Sequence, residues 1–173
     1  MMRLLALGAL LIAAASCTAQ SERCDFSHTR EVSFTGGAAA DRITTRTFGV
    51  SCDKAIGVYE IIDGEGHPIW AWATPLPRAF GEVFKAEEPE HVEAFLEEWS
   101  QPHISTTQQA PEWAALTPGQ TTLDELTYAD IRARELPMLC HFSGTARQTC
   151  VFWEPVAGGA GHLFDRDVEE TVE

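Results

Sequence analysis

The first half of the chain alternates hydrophobic and polar residues between short turn segments. This period of two predicts β-strands, and the candidate strands are residues 26–34, 42–50, 55–62 and 68–74. The last two are joined by Asp-Gly-Glu-Gly, which is typical of a hairpin turn. We therefore expect an antiparallel meander.

The fourth candidate strand is hydrophobic on both faces. Trp70 and Trp72 fall on one face of an extended chain, while Ile69, Ala71 and Ala73 fall on the other. We therefore expect other elements to cover both faces of this strand.

Two later segments have helical spacing. Residues 88–100 begin with Pro89 in the first turn, and their apolar stripe consists of Val92, Phe95, Leu96 and Trp99. Residues 122–136 begin with a capping box of Thr and Glu and are stopped by Pro137. We expect two helices, joined by a connector that is rich in Pro, Thr and Gln.

The end of the chain predicts a closing hairpin from residues 138–143 and 148–154. A glycine-rich loop follows at residues 157–162. The order of elements predicts an α+β fold. Its expected form is one antiparallel sheet of the N-terminal meander plus the C-terminal hairpin, with two helices packed on one face.

With Cys17 set aside, the other four cysteines have three possible disulfide connectivities, and their spacing along the chain ranks them. A hairpin that pairs Cys24 with Cys52 has its midpoint in a Gly-Gly-Ala-Ala-Ala segment, and one that pairs Cys140 with Cys150 has its midpoint in Ser-Gly-Thr-Ala. Both midpoints are turn-like, so we predict these two disulfides. The alternative is a reactive thiol or a metal cluster, which lacks support because no C-x-x-C spacing occurs.

Residues 1–16 have the pattern of a secretion signal. One positive charge at Arg3 precedes an uncharged apolar run, which is shorter than a bilayer-spanning helix requires and ends in small residues. We therefore exclude this segment from the fold. Export would place the remaining chain where disulfides are permitted.

The end of the signal, Ala14-Ala15-Ser16-Cys17, resembles the lipobox of bacterial lipoprotein precursors, with Ala14 where Leu is usual. The resemblance is limited to the signal peptide. It implies diacylglycerol on Cys17 and a membrane anchor, and Thr18 after the cysteine implies the outer membrane, facing the periplasm. The alternative is ordinary cleavage that releases a soluble periplasmic protein.

The remaining chain divides into a tether (17–23), a single α+β domain (24–164) and an acidic tail (165–173) that we expect to fray. The sequence contains 26 Asp and Glu against 12 Lys and Arg, a formal net charge of −14. This balance makes nucleic acid an improbable partner. It favours a basic envelope protein instead.

Candidate catalytic residues are few. His141, Ser143, His162 and Asp165 are the local gathering of nucleophile, base and carboxylate types, but no G-x-S-x-G motif is present. The glycine loop matches no nucleotide-binding motif and the histidines have no metal-binding spacing, so we predict no cofactor and no metal.

Candidate binding residues are Trp113, Glu93 and Glu97. A tryptophan in a connector is expected to be exposed, and the two glutamates lie on the polar side of the first predicted helix. The sequence therefore favours a non-enzymatic protein-binding module. The alternatives are a small periplasmic hydrolase that uses Ser143 with His141 or His162, and a carrier of an apolar ligand in a Trp-lined cavity.

Overall fold

The computed structural model describes residues 23–84 and 88–168. The fold is α+β, with two antiparallel four-stranded sheets. The first sheet follows chain order and consists of β1 (Ser27–Val32), β2 (Asp41–Phe48), β3 (Ile56–Ile62) and β4 (Pro68–Pro75). This sheet confirms the predicted meander.

The second sheet also follows chain order and consists of β5 (His103–Thr106), β6 (Pro137–Gly144), β7 (Arg147–Glu154) and β8 (Gly159–Asp167). The pair β6–β7 is the predicted closing hairpin. The prediction that this hairpin joins the meander in a single sheet is wrong. β5 and β8 each flank the hairpin and complete a separate sheet.

Among the described residues, the α-helices are α1 (Leu76–Phe80), α2 (Pro89–Trp99) and α3 (Glu125–Ala133). α2 buries the predicted apolar stripe and contacts β1 and β2. α3 begins later than predicted because the Asp124 side chain accepts a hydrogen bond from the Thr127 backbone N–H at 2.9 Å. It contacts the short 3₁₀ helices of the connector, Thr107–Gln109 and Trp113–Ala115.

No helix within residues 23–84 and 88–168 combines the length and the apolar character that crossing a bilayer requires.

The glycine-rich segment is largely strand, where a loop was predicted. Gly159 pairs with Glu154 and Gly161 with Phe152. A Cβ on Gly161 would lie 2.8 Å from the Phe152 ring, so this glycine lets the ring pack against the neighbouring strand. The expected acidic tail is also strand as far as Asp167, while residues 169–173 lie outside the described residues.

Both predicted disulfides are present. Cys24 is bonded to Cys52, 28 residues away, and Cys140 is bonded to Cys150, 10 residues away. Cys140 and Cys150 are directly opposed on β6 and β7. Each bridge therefore stays within one half of the fold, and neither links the two sheets.

The larger hydrophobic cluster is shared by both sheets and α2. Leu139 and Val151 of the second sheet belong to it, and Trp70 and Trp72 of β4 are packed against it. The opposite face of β4 was expected to be covered, and Ile69 is buried, but Ala71 and Ala73 are exposed. Alanine is small enough for either environment, so its position alone did not identify a buried face.

A buried aspartate joins two turns of the first sheet. The Asp41 carboxylate accepts hydrogen bonds from the backbone N–H groups of Phe34 and Thr35, each at 2.7 Å, and from that of Gly64 at 3.1 Å. The Thr35 hydroxyl donates a fourth bond at 2.8 Å. A carboxylate, which only accepts, satisfies four donors from the β1–β2 and β3–β4 connections.

Replacing Asp41 with Asn should therefore destabilise the protein. The side-chain N–H of Asn would face the N–H and O–H donors that the Asp41 carboxylate accepts. We therefore expect the free energy of unfolding to fall by about 3 kcal/mol, as measured by urea denaturation. Asp53→Asn removes the same charge from an exposed position and should change stability by less than about 0.5 kcal/mol. Equal effects of the two changes would contradict the role of Asp41.

Candidate functional site

His141 lies at the centre of the contact between the sheets. The residue is completely buried, and its ring stacks on that of Tyr59 with 4.2 Å between centroids. Trp70 and Trp72 of β4 approach the same ring, with centroids 6.5 and 5.8 Å away. One of the candidate catalytic residues is thus part of an aromatic core.

Both ring nitrogens of His141 have partners. The Trp70 indole N–H donates to Nε2 at 3.2 Å, and Nδ1 lies 3.1 Å from the carbonyl oxygen of Phe142. Because an indole N–H only donates and a carbonyl only accepts, these contacts select a neutral ring with its proton on Nδ1. The Phe142 carbonyl also accepts the indole N–H of Trp99 at 2.8 Å.

Burial keeps this histidine neutral. Desolvation lowers the pKa of His141 to about 4, against the smaller upward effects of the Phe142 hydrogen bond and the Asp165 charge. The ring therefore has neither a free nitrogen nor solvent access, both of which a general base needs.

Tyr59 is buried in the same cluster, and burial raises the pKa of its phenol despite the opposing charge of Arg30. The Tyr59 hydroxyl has no hydrogen-bond partner within the described part of the chain. An unsatisfied buried hydroxyl reduces stability. The phenol is also held protonated, so it has no readily available anion for chemistry.

The structure does not bring Ser143 together with either histidine candidate. The hydroxyl of Ser143 donates a long hydrogen bond, 3.5 Å, to the carbonyl of Arg147. His162 pairs with Val151, so one strand and several residues of strand length separate it from Ser143. Strand geometry puts that separation on the order of 15 Å, beyond the reach of a base acting on a serine.

Asp165 takes part in a surface network. Its carboxylate accepts the Thr149 hydroxyl at 2.7 Å and pairs with Arg147 at 2.9 Å and with His162 at 3.3 Å. Burial alone would raise the pKa of Asp165, but the bonds from Thr149 and Arg147 outweigh it and hold the pKa below its ordinary value. The carboxylate therefore ties β7 to β8.

The exposed side of α2 is acidic. Glu90, Glu93, Glu97 and Glu98 are exposed, and none of the salt bridges found among the described residues involves them. Trp113, expected to be exposed, is partly buried, with its ring centroid 5.7 Å from that of Tyr128. Of the predicted binding residues, the two glutamates remain accessible.

An aromatic cavity of about 140 Å³ opens beside α2. Its apolar walls include Phe80, Phe95, Trp99 and Phe142, with Val83 and Glu98 among the remaining lining residues. Sequence reasoning did not select this cavity, although the aromatic residues between positions 80 and 99 were visible. Phe95 and Trp99 served only to predict a helix stripe. The contributions of Phe80 and of Phe142 on β6 depend on tertiary packing, which local spacing does not reveal.

The described residues contain no group of three or more His, Cys, Asp or Glu side chains that could hold a metal ion. The disulfides use four of the cysteines, and His162 and Asp165 form a pair rather than a larger cluster.

The burial of His141 predicts a pH dependence of stability. Its pKa is about 4 in the folded protein and about 6.5 when unfolded. His141 therefore binds a proton more readily in the unfolded chain than in the folded protein. The folded protein loses stability as the pH falls from about 6.5 to about 4. Between pH 7 and pH 5 we expect His141 to account for about 2 kcal/mol of the decrease.

Denaturant unfolding at the two pH values tests this prediction. A His141→Phe variant should be less stable at pH 7, because it loses the hydrogen bonds, but should lack that share of the acid-induced decrease. His91→Gln alters an exposed histidine and should keep the full decrease. An undiminished pH dependence in His141→Phe would show that another group titrates.

Comparison of the chain with protein-family models, with curated proteins and with solved structures finds no match.

Proposed function

We propose that the chain is a membrane-tethered, periplasm-facing lipoprotein domain of the bacterial cell envelope, anchored at the outer membrane through acylated Cys17, and that it is a non-enzymatic protein-binding module. Cys17 and the signal, residues 1–16, lie outside the described residues. Two disulfides in a chain of this size support export to an oxidising compartment.

The observation that carries the binding proposal is the uneven distribution of charge. Residues 23–84 contain six Lys and Arg against eight Asp and Glu, whereas residues 88–168 contain four against thirteen. The exposed carboxylates of α2 belong to this second part. A surface of this kind attracts and orients a basic partner, so a basic envelope protein is the proposed ligand.

The surroundings of the candidate catalytic residues support the non-enzymatic part of the proposal. His141 is neutral and enclosed in the core, and Ser143 has neither His141 nor His162 as a hydrogen-bond partner. The hydrolase alternative would require either the core to open around His141 or Ser143 and His162 to come together from different strands. The binding module requires no such rearrangement.

The aromatic cavity favours a second candidate function, the carriage of a small apolar ligand. Its volume of about 140 Å³ resembles that of an apolar protein cavity able to hold a benzene-sized molecule, about 150 Å³. Three of its rings, from Phe80, Phe95 and Trp99, also contact one another edge to face or tilted. The Trp99 ring would report directly on an occupant.

The binding proposal predicts a salt-sensitive interaction with a basic protein. Lysozyme serves as the basic probe, and its affinity for the mature protein should fall several-fold when ionic strength rises from about 0.02 M to about 0.2 M. The double change Glu93→Gln, Glu97→Gln should weaken binding at low salt. Isothermal titration calorimetry provides the measurement.

The matched control is Glu31→Gln, Glu65→Gln, which removes the same charge from exposed positions in the first half. We expect it to have the smaller effect. Equal effects would indicate attraction to net charge without a preferred surface. Binding that is absent at low salt would contradict electrostatic capture of this basic probe.

The carrier alternative predicts that a benzene-sized ligand such as indole perturbs the cavity. Val83 is half exposed at its edge, so Val83→Phe should reduce ligand binding by occupying the opening. Val156→Phe, at an exposed turn, should leave binding unchanged. Ligand-observed NMR measures binding without interference from the tryptophans, and equal binding by both variants would place the ligand elsewhere.

A further inference from the structure

An apolar patch lies on the outer face of the first sheet. Phe48 and Ile56 are cross-strand partners, and Ile56 also pairs with Pro75. Directly opposed residues share a face, and Phe48 and Ile56 are 46% and 48% exposed. Val50, which follows β2, is 68% exposed. We refer to Phe48, Val50, Ile56 and Pro75 as the apolar patch.

Cationic side chains border this patch. The Arg46 guanidinium lies 5.6 Å from the centroid of the Phe48 ring and is paired with the Glu60 carboxylate at 2.8 Å. Lys54 is exposed four residues after Val50. Surfaces that settle into the interface of a bilayer combine aliphatic and aromatic side chains with Lys or Arg. Asp53 is also exposed here, so burial of the apolar side chains is the main contribution and attraction to anionic lipid is secondary.

The N-terminal chain enters the domain beside the same patch. The Cys24 backbone N–H donates to the Gly49 carbonyl at 3.1 Å, and Cys24 is bonded to Cys52. Gly49 and Cys52 flank Val50 in the sequence. The entry point is therefore held at this end of the sheet by a covalent bond and a hydrogen bond.

The tether is too short to let the domain turn freely. Cys17 precedes Cys24 by seven residues, and an extended chain of that length reaches about 25 Å. A domain of this size has a radius of gyration of about 15 Å, and hence a diameter of about 40 Å. An anchor at Cys17 would therefore exclude orientations in which the patch end faces fully away from the lipid.

We propose that the apolar patch docks into the phospholipid interface of the membrane that holds the acylated Cys17. This inference rests on the tether of the proposed function. Docking would place at the lipid the first half of the chain, in which acidic and basic residues are nearly equal in number. The acidic residues of the second half would then be directed toward the periplasm. Repulsion from an anionic bilayer favours the same orientation.

Lipid cross-linking tests the proposal. The full precursor is expressed in a Gram-negative host, and the mature protein is reconstituted into vesicles of phosphatidylethanolamine and phosphatidylglycerol that contain a photoactivatable phospholipid. Mass spectrometry then identifies the N-terminal peptide, the disulfides and the cross-linked residues. We expect acylated Cys17 and lipid adducts concentrated within residues 46–58.

Two matched variants complete the test. Val50→Asp places a charge in the patch at a position where the side chain is already exposed, and it should lower the adduct yield several-fold. Val156→Asp makes the same change at a 92% exposed residue of the second half and should leave the yield unchanged. Intact disulfides and an unchanged circular dichroism spectrum would show that both variants fold.

The remaining outcomes separate the docking from the tether. Acylated Cys17 with adducts absent from residues 46–58 would overturn the docking and leave the tether standing. An N-terminal peptide without acyl chains would overturn both. Cross-links between the patches of two protein copies, in place of lipid adducts, would overturn lipid docking and identify the patch as a contact between copies.

Discussion

The contact between the two sheets depends on satisfying one buried imidazole. His141 can remain in the core because Trp70 from the first sheet donates to one nitrogen while the Phe142 carbonyl accepts from the other. A protonated ring would lose the Trp70 bond and add an unpaired charge to an aromatic cluster. The relative position of the sheets and the neutral state of His141 are therefore coupled.

This coupling matters because neither disulfide links the two sheets. One disulfide closes the N-terminal end of the first half and the other joins two neighbouring strands of the second sheet. Cohesion between the halves comes from the shared apolar cluster and from contacts such as the hydrogen bond that the Trp70 indole N–H donates to His141 of β6. The polar groups of β6 thus have a structural role that their residue types did not reveal.

Local sequence patterns predicted the first sheet, the β6–β7 hairpin, α2 and both disulfides, because alternation, helical spacing and turn residues act over a few positions. β5 was missed because four residues, His-Ile-Ser-Thr, are too few for a periodic signal. β8 was missed because Gly159 and Gly161 indicate a loop unless the Phe152 ring that occupies the space beside Gly161 is known. The separation of Ser143 from His162 likewise depends on strand order, which spacing along the chain does not specify.

The prediction of function likewise depends partly on residue types and partly on tertiary structure. Export, disulfide formation and net charge can be argued from residue types, whereas an accessible catalytic group must be located in space. His141 is of a residue type common in catalysis, but its environment is that of a core residue. Desolvation makes the structural role the better interpretation, because it disfavours the charged form that proton transfer requires. The accessible groups of the described residues include exposed carboxylates on α2 and apolar side chains beside the entry of the chain. Such surfaces suit a domain that is held in place and binds another molecule.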